Sequence, residues 1–274
     1  MITPPTQYRY RYMTEDTIRE ITILPGRNRR GCLEAFDEIV IKPGDTISIV
    51  GPTGSGKSAF INDIEIFANR DTITGRQILV NGALPPERFV RDPAAKPVAL
   101  ITQNTRCLCD LSVADFLIMH LKSRGLTRES CIDETISLAN QFTGEPILKN
   151  IRMTSLSGGQ TRSLMVADAI LISDTPIILL DEVENAGIFK ERVIKVLRQH
   201  HKALLFVTHD PLVSLLSERR IVMRDGAVAK VIEPDGAEEH AIRQMLHFDG
   251  VMAQMREMIR AGELITTPIP VSYS

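Results

Sequence analysis

The chain has 274 residues, of which 43% are hydrophobic and 24% are charged, and its formal net charge is −2. These values are ordinary for a globular protein and supply enough apolar material for a core without disulfides. The slightly negative charge excludes a global basic field that would attract nucleic acid, so a nucleic-acid-linked role is disfavoured.

The apolar stretches are too short to predict a membrane-spanning helix. Residues 176–180 and 203–207 are among the longest of them, whereas a helical span needs roughly 20 apolar residues. Residues 1–12 hold two prolines and no apolar run, so a secretory signal is not expected. We therefore expect a cytoplasmic protein.

The four cysteines are expected to be reduced in that compartment. They are Cys32, Cys107, Cys109 and Cys131. A single residue separates Cys107 from Cys109, which is too few for an ordinary zinc pair. Buried thiols and a redox or metal contact remain as alternatives for this pair.

The predicted elements alternate as in an α/β domain. After an expected flexible arm at 1–16, β-type residues in 17–41 surround a loop at 25–31. Further strands are predicted at 46–50, 77–80, 98–102, 177–180, 204–208, 221–224 and 228–232. Helices are predicted at 58–67, 113–122, 128–142, 159–172, 190–200, 212–215 and about 238–261.

The order of these elements predicts one sheet domain with an insertion. Residues 105–155 are predicted to be all helical, so we interpret them as a helical subdomain within a domain spanning 17–235. A helical segment at 236–261 and a tail at 262–274 follow.

A strand, a glycine-rich loop and a helix follow one another from residue 46. The loop reads Gly51-Pro52-Thr53-Gly54-Ser55-Gly56-Lys57-Ser58 and matches G-x-x-x-x-G-K-[ST]. The glycines let backbone N–H groups point at phosphates, and the helix adds its positive N-terminal dipole. Lys57 would contact the β- and γ-phosphates, and Ser58 would be a Mg²⁺ ligand. The pattern predicts a nucleotide site, in preference to a glycine-rich turn without a ligand.

Two carboxylates end the apolar run 177–180. The carboxyl end of a buried strand is where α/β proteins bind ligands. Asp181 is predicted to hold Mg²⁺, and Glu182 to activate the attacking water as a general base. Alone, the pair is equally compatible with an ordinary acidic strand end; the preceding P-loop motif favours the catalytic interpretation.

The sequence Leu156-Ser157-Gly158-Gly159-Gln160 is identical to the signature sequence of ATP-binding-cassette (ABC) proteins, and the chain resembles that family over residues 17–235. The resemblance implies an α/β P-loop fold with a mixed sheet core, an antiparallel β subdomain and an inserted helical subdomain. It also implies ATP hydrolysis with Mg²⁺ in a head-to-tail dimer. There, Ser157, Gly158, Gly159 and Gln160 would bind the γ-phosphate held by a second ABC subunit, either an identical chain or a sister cassette.

Two further residues acquire roles from this resemblance. Gln103 resembles the family's Q-loop glutamine, which contacts Mg²⁺ or water and couples the helical subdomain to nucleotide. His209 resembles the switch histidine, which contacts the γ-phosphate and positions water. With Lys57 and Glu182, they complete the predicted catalytic set.

The chain departs from the family at the positions that normally recognise adenine. The family has an aromatic residue upstream of the P-loop, whereas residues 24–32 contain none. An arginine could stack on the base instead, or a tyrosine of the arm could fold back. The candidates are Arg27, Arg29, Arg30, Tyr8, Tyr10 and Tyr12. Weak discrimination between ATP and GTP is therefore predicted.

Other departures lie after the catalytic motifs and near the C-terminus. The segment 183–187 lacks the aspartate of the family's D-loop, where Asn185 could substitute, and Asp168 reverses a charge in the signature helix. Met245, Met252, Met255 and Met258 recur in the last predicted helix. We interpret these methionines as core or dimer packing, with a partner-binding face as the alternative.

Two functions remain compatible with this sequence. The first is the nucleotide-binding subunit of a membrane transporter, peripheral at the inner face of the membrane and paired with a separate permease subunit. The alternative is a soluble ABC ATPase that acts on a soluble partner in cofactor assembly, enzyme activation or another remodelling task.

Overall fold

The computed structural model describes residues 17–105, 107, 109–182, 190–234 and 236–265. The predicted arm at 1–16, Asn185 and most of the predicted tail lie outside these residues. The strands are Ile21–Leu24 (β1), Ile39–Ile41 (β2), Thr46–Val50 (β3), Gln77–Val80 (β4), Val98–Thr102 (β5), Ile177–Asp181 (β6), Ala203–Val207 (β7), Arg219–Arg224 (β8) and Ala227–Ile232 (β9). The helices are Lys57–Glu65 (α1), Glu87–Arg91 (α2), Val113–Ser123 (α3), Ser130–Phe142 (α4), Gly158–Leu171 (α5), Lys190–Gln199 (α6), Pro211–Leu216 (α7) and Glu239–Arg260 (α8), with a 3-10 turn at Met153–Ser155.

These strands form two sheets. An antiparallel sheet of three has the order β2-β1-β4, and a sheet of six has the order β5-β6-β7-β3-β8-β9. In the larger sheet the neighbours are parallel from β5 to β8, and β9 is antiparallel to β8. Strands of a parallel sheet are covered on both faces, which explains why β3, β6 and β7 are almost continuously buried.

The larger sheet separates two hydrophobic cores. Successive side chains of a strand point to opposite faces, and β6 follows this rule. Ile178 and Leu180 pack with the helices α3, α4 and α5. Ile177 and Leu179 pack with α1 and the antiparallel sheet. The helix that follows the glycine-rich loop and the helix that begins at Gly158 therefore pack into different cores.

A buried ionic network ties the antiparallel sheet to α1. The guanidinium of Arg76 donates to Glu34 at 2.6 and 2.8 Å and to Asp63 at 3.0 Å. It also donates to the Gly226 carbonyl at 3.0 Å and lies 4.9 Å from the centre of the Phe60 ring. Arg76 is fully buried, so this bidentate pairing supplies the partners that a buried charge requires.

Several predicted elements need correction. The short helix α2 was not predicted, and the insertion at 105–155 is not all helical, since residues 143–152 connect α4 to the 3-10 turn without a helix. Helix ends differ from the predicted ones by one or two residues, as expected for frayed termini. The predicted domain boundaries stay predictions.

The last helix, α8, contains no buried residue. The interpretation of Met245, Met252, Met255 and Met258 as core residues is therefore wrong, because this helix lies on the surface with only one side half-buried. Their packing in a dimer or against a partner stays a prediction. Within the part of the chain that the structure describes, neither α8 nor any other helix is long and apolar enough to cross a membrane.

Candidate nucleotide site

The loop after β3 has a backbone that only glycine can adopt at two positions. Gly51 and Gly56 have φ angles of 150° and 102°. A Cβ at Gly51 would lie 2.3 Å from the Met223 carbonyl oxygen, and one at Gly56 would lie 2.9 Å from Gly226. Both contacts are too close, so these glycines let the loop pass against β8 and the turn that follows it. A loop backbone this close to the sheet is compatible with the predicted phosphate cradle.

Lys57 is held inside this loop. Its side chain is buried, and its Nζ donates to the carbonyl oxygens of Gly51 at 2.9 Å and Pro52 at 3.1 Å. Ser58 follows it in the first turn of α1 and is exposed. The ammonium group is therefore already oriented toward the loop interior, and phosphate oxygens can replace the two carbonyls as its acceptors.

The parallel register brings the other predicted residues to the same edge of the sheet. Thr102 of β5 pairs with Asp181 of β6, and Asp181 pairs with Val207 of β7. Gln103, Glu182 and His209 come one or two residues after these positions. Since β3 is parallel to β7, the glycine-rich loop leaves the sheet at this edge too.

Glu182 and His209 face each other at this edge. The Glu182 Oε1 lies 3.5 Å from the His209 Nε2, and both side chains are partly exposed. Glu182 has a φ of 51°, which is unusual for a residue other than glycine, and its N–H donates to the Val207 carbonyl at 3.0 Å. Backbone strain of this kind is concentrated at functional sites. The positive φ of Glu182 ends β6 at Asp181 and turns the Glu182 carboxylate toward His209.

The signature sequence opens α5 with a capping box. The Ser157 hydroxyl accepts from the Gln160 N–H at 3.2 Å, and the Gln160 Oε1 accepts from the Ser157 N–H at 2.9 Å. The helix begins at Gly158, one residue earlier than predicted. Ser157 and Gly158 are exposed, so this helix N-terminus can meet an anion from outside the chain.

A residue that the sequence analysis did not single out links two of the motifs. The Arg162 Nη1 donates to the Gln103 carbonyl, and its Nη2 lies so close to Gly158 that a Cβ there would be 2.8 Å away. Burial lowers the pKa of Arg162. No local pattern points to this contact, because it joins positions 59 residues apart.

Comparison with known proteins agrees with this geometry. Residues 38–185 match the profile of the family described as ABC transporter. An uncharacterised ABC transporter ATP-binding protein of Methanocaldococcus jannaschii is 49% identical over 249 residues, which are 91% of this chain and 95% of that protein. The chain belongs to the ABC transporter family. The predicted family is thereby confirmed, and the prediction of an ABC-type ATPase agrees with it.

More distant ABC proteins share part of the chain. The sn-glycerol-3-phosphate import ATP-binding protein UgpC 1 of Rhizobium johnstonii is 28% identical over 216 residues, which are 76% of this chain and 56% of that protein. The chain thus spans about half the length of that importer protein.

Solved structures of ABC proteins confirm the predicted fold class. The cbiO1 structure from Clostridium perfringens, described as part of the ABC transporter complex cbiONQ, has a TM-score of 0.61 at 20% identity and covers 88% of this chain and 100% of that one. A dimeric ATP-binding cassette bound to ADP and Pi has a TM-score of 0.57 at 24% identity and covers 78% of this chain and 98% of that one.

In this ABC protein an arginine lies beside the P-loop. It belongs to the segment 24–32, which lacks the aromatic residue that the family normally has there. Of the three candidate arginines, Arg29 reaches the loop. Its Nη2 donates to the Gly54 carbonyl at 2.5 Å, and its backbone N–H donates to the Asp225 carbonyl at 3.1 Å. Arg27 instead donates to the Gly31 carbonyl at 2.8 Å. The tyrosines of the arm lie outside the described residues, as does the segment 183–187.

The reversed charge at Asp168 is satisfied locally. Its two carboxylate oxygens lie 3.1 Å from the His120 Nδ1, and one of them accepts from the Ser173 hydroxyl at 3.2 Å. Asp168 is buried. In this ABC protein the position therefore joins α5 to α3 within one subunit.

Proposed function

We propose that this chain is the nucleotide-binding subunit of a membrane transporter and hydrolyses ATP as a head-to-tail dimer. The observation that carries the dimer is the exposed, capped N-terminus of α5 at Ser157 and Gly158. It is a second anion site in a chain that already has a P-loop. A γ-phosphate held by the P-loop of a second copy or a sister subunit has the charge and the geometry to fill it.

In this proposal the two strand-end residues activate water. The Glu182 carboxylate takes the proton of a water aligned with the γ-phosphate, and the His209 ring, 3.5 Å away, orients that water and the phosphate. Lys57 exchanges its two backbone carbonyls for phosphate oxygens as ATP binds. Gln103 follows the last residue of β5, and Arg162 donates to its backbone carbonyl. In this proposal the Gln103 side chain contacts the Mg²⁺ or water at the bound nucleotide.

Magnesium is the cofactor that these side chains fit. Ser58, Gln103 and Asp181 offer a hydroxyl, an amide and a carboxylate, which are oxygen ligands suited to this hard cation. The described residues contain no cluster of three or more His, Cys, Asp or Glu suited to a metal, and Mg²⁺ in phosphoryl transfer needs only one or two carboxylates beside the phosphates. When bound, the ion neutralises charge on the β- and γ-phosphates.

We expect weak discrimination between ATP and GTP, with Arg29 stacking on either base. Its guanidinium is anchored on the P-loop by the Gly54 carbonyl, and a planar cation stacks on any purine. Arg29→Ala should weaken binding of both nucleotides about 2- to 5-fold, which is the size of an exposed cation–π contact. Titration of ATP and GTP against the wild type, Arg29→Ala and the neighbouring control Arg30→Ala measures this. A strong ATP preference, or equal losses in both variants, contradicts the assignment.

The transporter half of the proposal is supported by a cleft beside Gln103. A cavity of about 430 Å³ is open between the edge strand β5, α5 and the end of α3. Its lining includes Ala99, Leu100, Ile101, Arg124, Met165 and Asp168. This mixed apolar and charged lining can receive a short helical segment of a permease subunit. Thr105, two residues after Gln103, lies in the lining, so a motion of Gln103 on nucleotide binding would be passed to that segment through this turn.

Trapping the closed dimer tests the transporter assignment. Tagged Glu182→Gln protein is purified with ATP and Mg²⁺ from detergent-solubilised source cells, and co-purifying proteins are identified by mass spectrometry. The matched control is Glu182→Gln combined with Lys57→Ala, which should not retain nucleotide. A multi-spanning membrane protein captured only by the first form is the expected result.

The other outcomes discriminate between the two functions. Capture of a soluble enzyme or assembly factor, without any membrane protein, would replace the transporter by the soluble ABC ATPase. Light scattering of the same sample should show the mass of a dimer with ATP and of a monomer without it. An unchanged mass would contradict the shared γ-phosphate.

A further inference from the structure

Two thiols lie in contact just after Gln103. The sulfur atoms of Cys107 and Cys109 are 3.0 Å apart. Both side chains are half-buried and pack against the core formed by α3, α4 and α5. Burial and the hydrogen bond from Cys109 raise the pKa of the Cys107 thiol. At neutral pH the Cys107 thiol is therefore protonated, and its sulfur stays in hydrogen-bond contact with the Cys109 sulfur.

Hydrogen bonds hold the backbone on both sides of the two thiols. Upstream, the Thr102 N–H donates to the Thr105 hydroxyl at 2.8 Å, and the Thr105 N–H donates to the Thr102 carbonyl at 3.1 Å. Downstream, the Leu111 carbonyl accepts from the Met153 N–H at 2.9 Å. A covalent link between the sulfurs would thus act between two hydrogen-bonded points of the backbone.

We propose that Cys107 and Cys109 form a dithiol modification site that reacts with low-molecular-weight disulfides and closes to an intramolecular disulfide. One thiol loses its proton and attacks the external disulfide, which releases one small thiol and leaves a mixed disulfide. The second cysteine then attacks the mixed disulfide and releases the other small thiol. The two cysteines are oxidised, the external disulfide is reduced to two thiols, and both protons are accounted for.

The geometry favours closure over a lasting mixed disulfide. A disulfide bond is about 2.05 Å long, so a pair already at 3.0 Å needs only a small approach. The contact also gives the second thiol a high effective concentration at the mixed disulfide. Cys32 is exposed and would react on its own, whereas Cys131 is buried and serves as an internal reference for a shielded thiol.

Formation of the Cys107–Cys109 disulfide is expected to slow catalysis, and this expectation alone rests on the proposed function. The connection that carries the dithiol begins at the turn after Gln103, whose carbonyl is held by Arg162 of the signature helix. A covalent ring in this connection restricts the approach of Gln103 to the nucleotide. We expect ATP hydrolysis to slow about 3-fold or more, as for a change in coupling between two packed elements.

The experiment uses the full-length chain with Cys32→Ser, which removes the exposed thiol, and oxidised glutathione as the probe. Intact mass spectrometry should show the loss of two hydrogens and no added glutathione, and peptide mapping should join Cys107 to Cys109. ATP hydrolysis is measured before oxidation, after it and after reduction with dithiothreitol. The matched control, Cys32→Ser with Cys109→Ser, should retain one glutathione instead and cannot close the ring.

The outcomes separately test the dithiol site, its effect on Gln103 and the proposed ATPase function. Retention of two free thiols at 107 and 109, or of glutathione on both, overturns the dithiol site. A closed disulfide with unchanged hydrolysis overturns its effect on Gln103 and leaves the site standing. A reduced protein without ATPase activity contradicts the proposed function, while the mass measurement still reports on the site.

Discussion

Glu182→Gln is expected to lower the rate of ATP hydrolysis at least about 10²-fold, the contribution of a positioned general base. The substitution removes the proton acceptor and keeps the side-chain shape, so ATP should still bind. The backbone of Glu182 has a positive φ, and glutamine tolerates that conformation about as well as glutamate, so the fold should be preserved. Phosphate release at saturating ATP and Mg²⁺ measures the rate, and equilibrium titration measures binding.

The matched control for this variant is a carboxylate away from the site. Glu87 is exposed and pairs with Arg91 on the surface of α2, so Glu87→Gln changes the same charge and should leave turnover unchanged. Retained hydrolysis in Glu182→Gln would remove this residue from the role of base. His209→Ala should then be measured next, because its ring shares the site at 3.5 Å.

Lys57→Ala is expected to abolish tight nucleotide binding itself. The ammonium supplies charge-assisted hydrogen bonds to phosphate oxygens, each worth about 1.5–3 kcal/mol. Loss of this group should weaken ATP affinity about 10- to 100-fold or more. Titration with ATP under non-hydrolysing conditions, without Mg²⁺, measures the change. The effect on turnover follows from the loss of binding.

The control for Lys57→Ala has to separate binding from folding. Lys57 is buried and bridges the carbonyls of Gly51 and Pro52, so thermal unfolding of the variant is measured without nucleotide. Lys42 is an exposed lysine with one distant partner, the Glu20 carboxylate at 4.0 Å, and Lys42→Ala should bind ATP as the wild type does. An unchanged affinity in a folded Lys57→Ala protein would contradict its assignment to the phosphates.

The parts of this site that follow from local sequence were predictable. The glycine-rich loop, the acidic end of β6 and the residues after β5 and β7 each follow an apolar run that predicts a buried strand. The roles of Gln103 and His209 came from the resemblance to the family, and the parallel pairing in the structure brings their positions and Glu182 to one edge. The Ser157–Gln160 capping box also had a local signal, S-x-x-Q, which the sequence analysis did not use.

The remaining features depend on contacts between distant residues, for which a single sequence contains no local signal. Arg29 reaches Gly54 and Arg162 reaches Gln103 across 25 and 59 positions. The helical spacing of the α8 methionines is compatible with either a buried or an exposed face of the helix. The structure shows that α8 has no buried residue. The helix α2 is one of the shortest in the chain, and segments of that length have little periodicity to detect.

The network of Arg76 with Glu34 and Asp63 determines which part of the protein can move. A buried guanidinium held by two carboxylates cannot lose either one without leaving a charge uncompensated, at a cost of several kcal/mol. We therefore expect the strands that flank Arg29, the glycine-rich loop and α1 to move as one rigid block. In the proposed dimer this block would hold both the base and the phosphates of a bound nucleotide. The rearrangement that opens and closes the dimer is then expected in the other core, where α5 begins with the signature sequence.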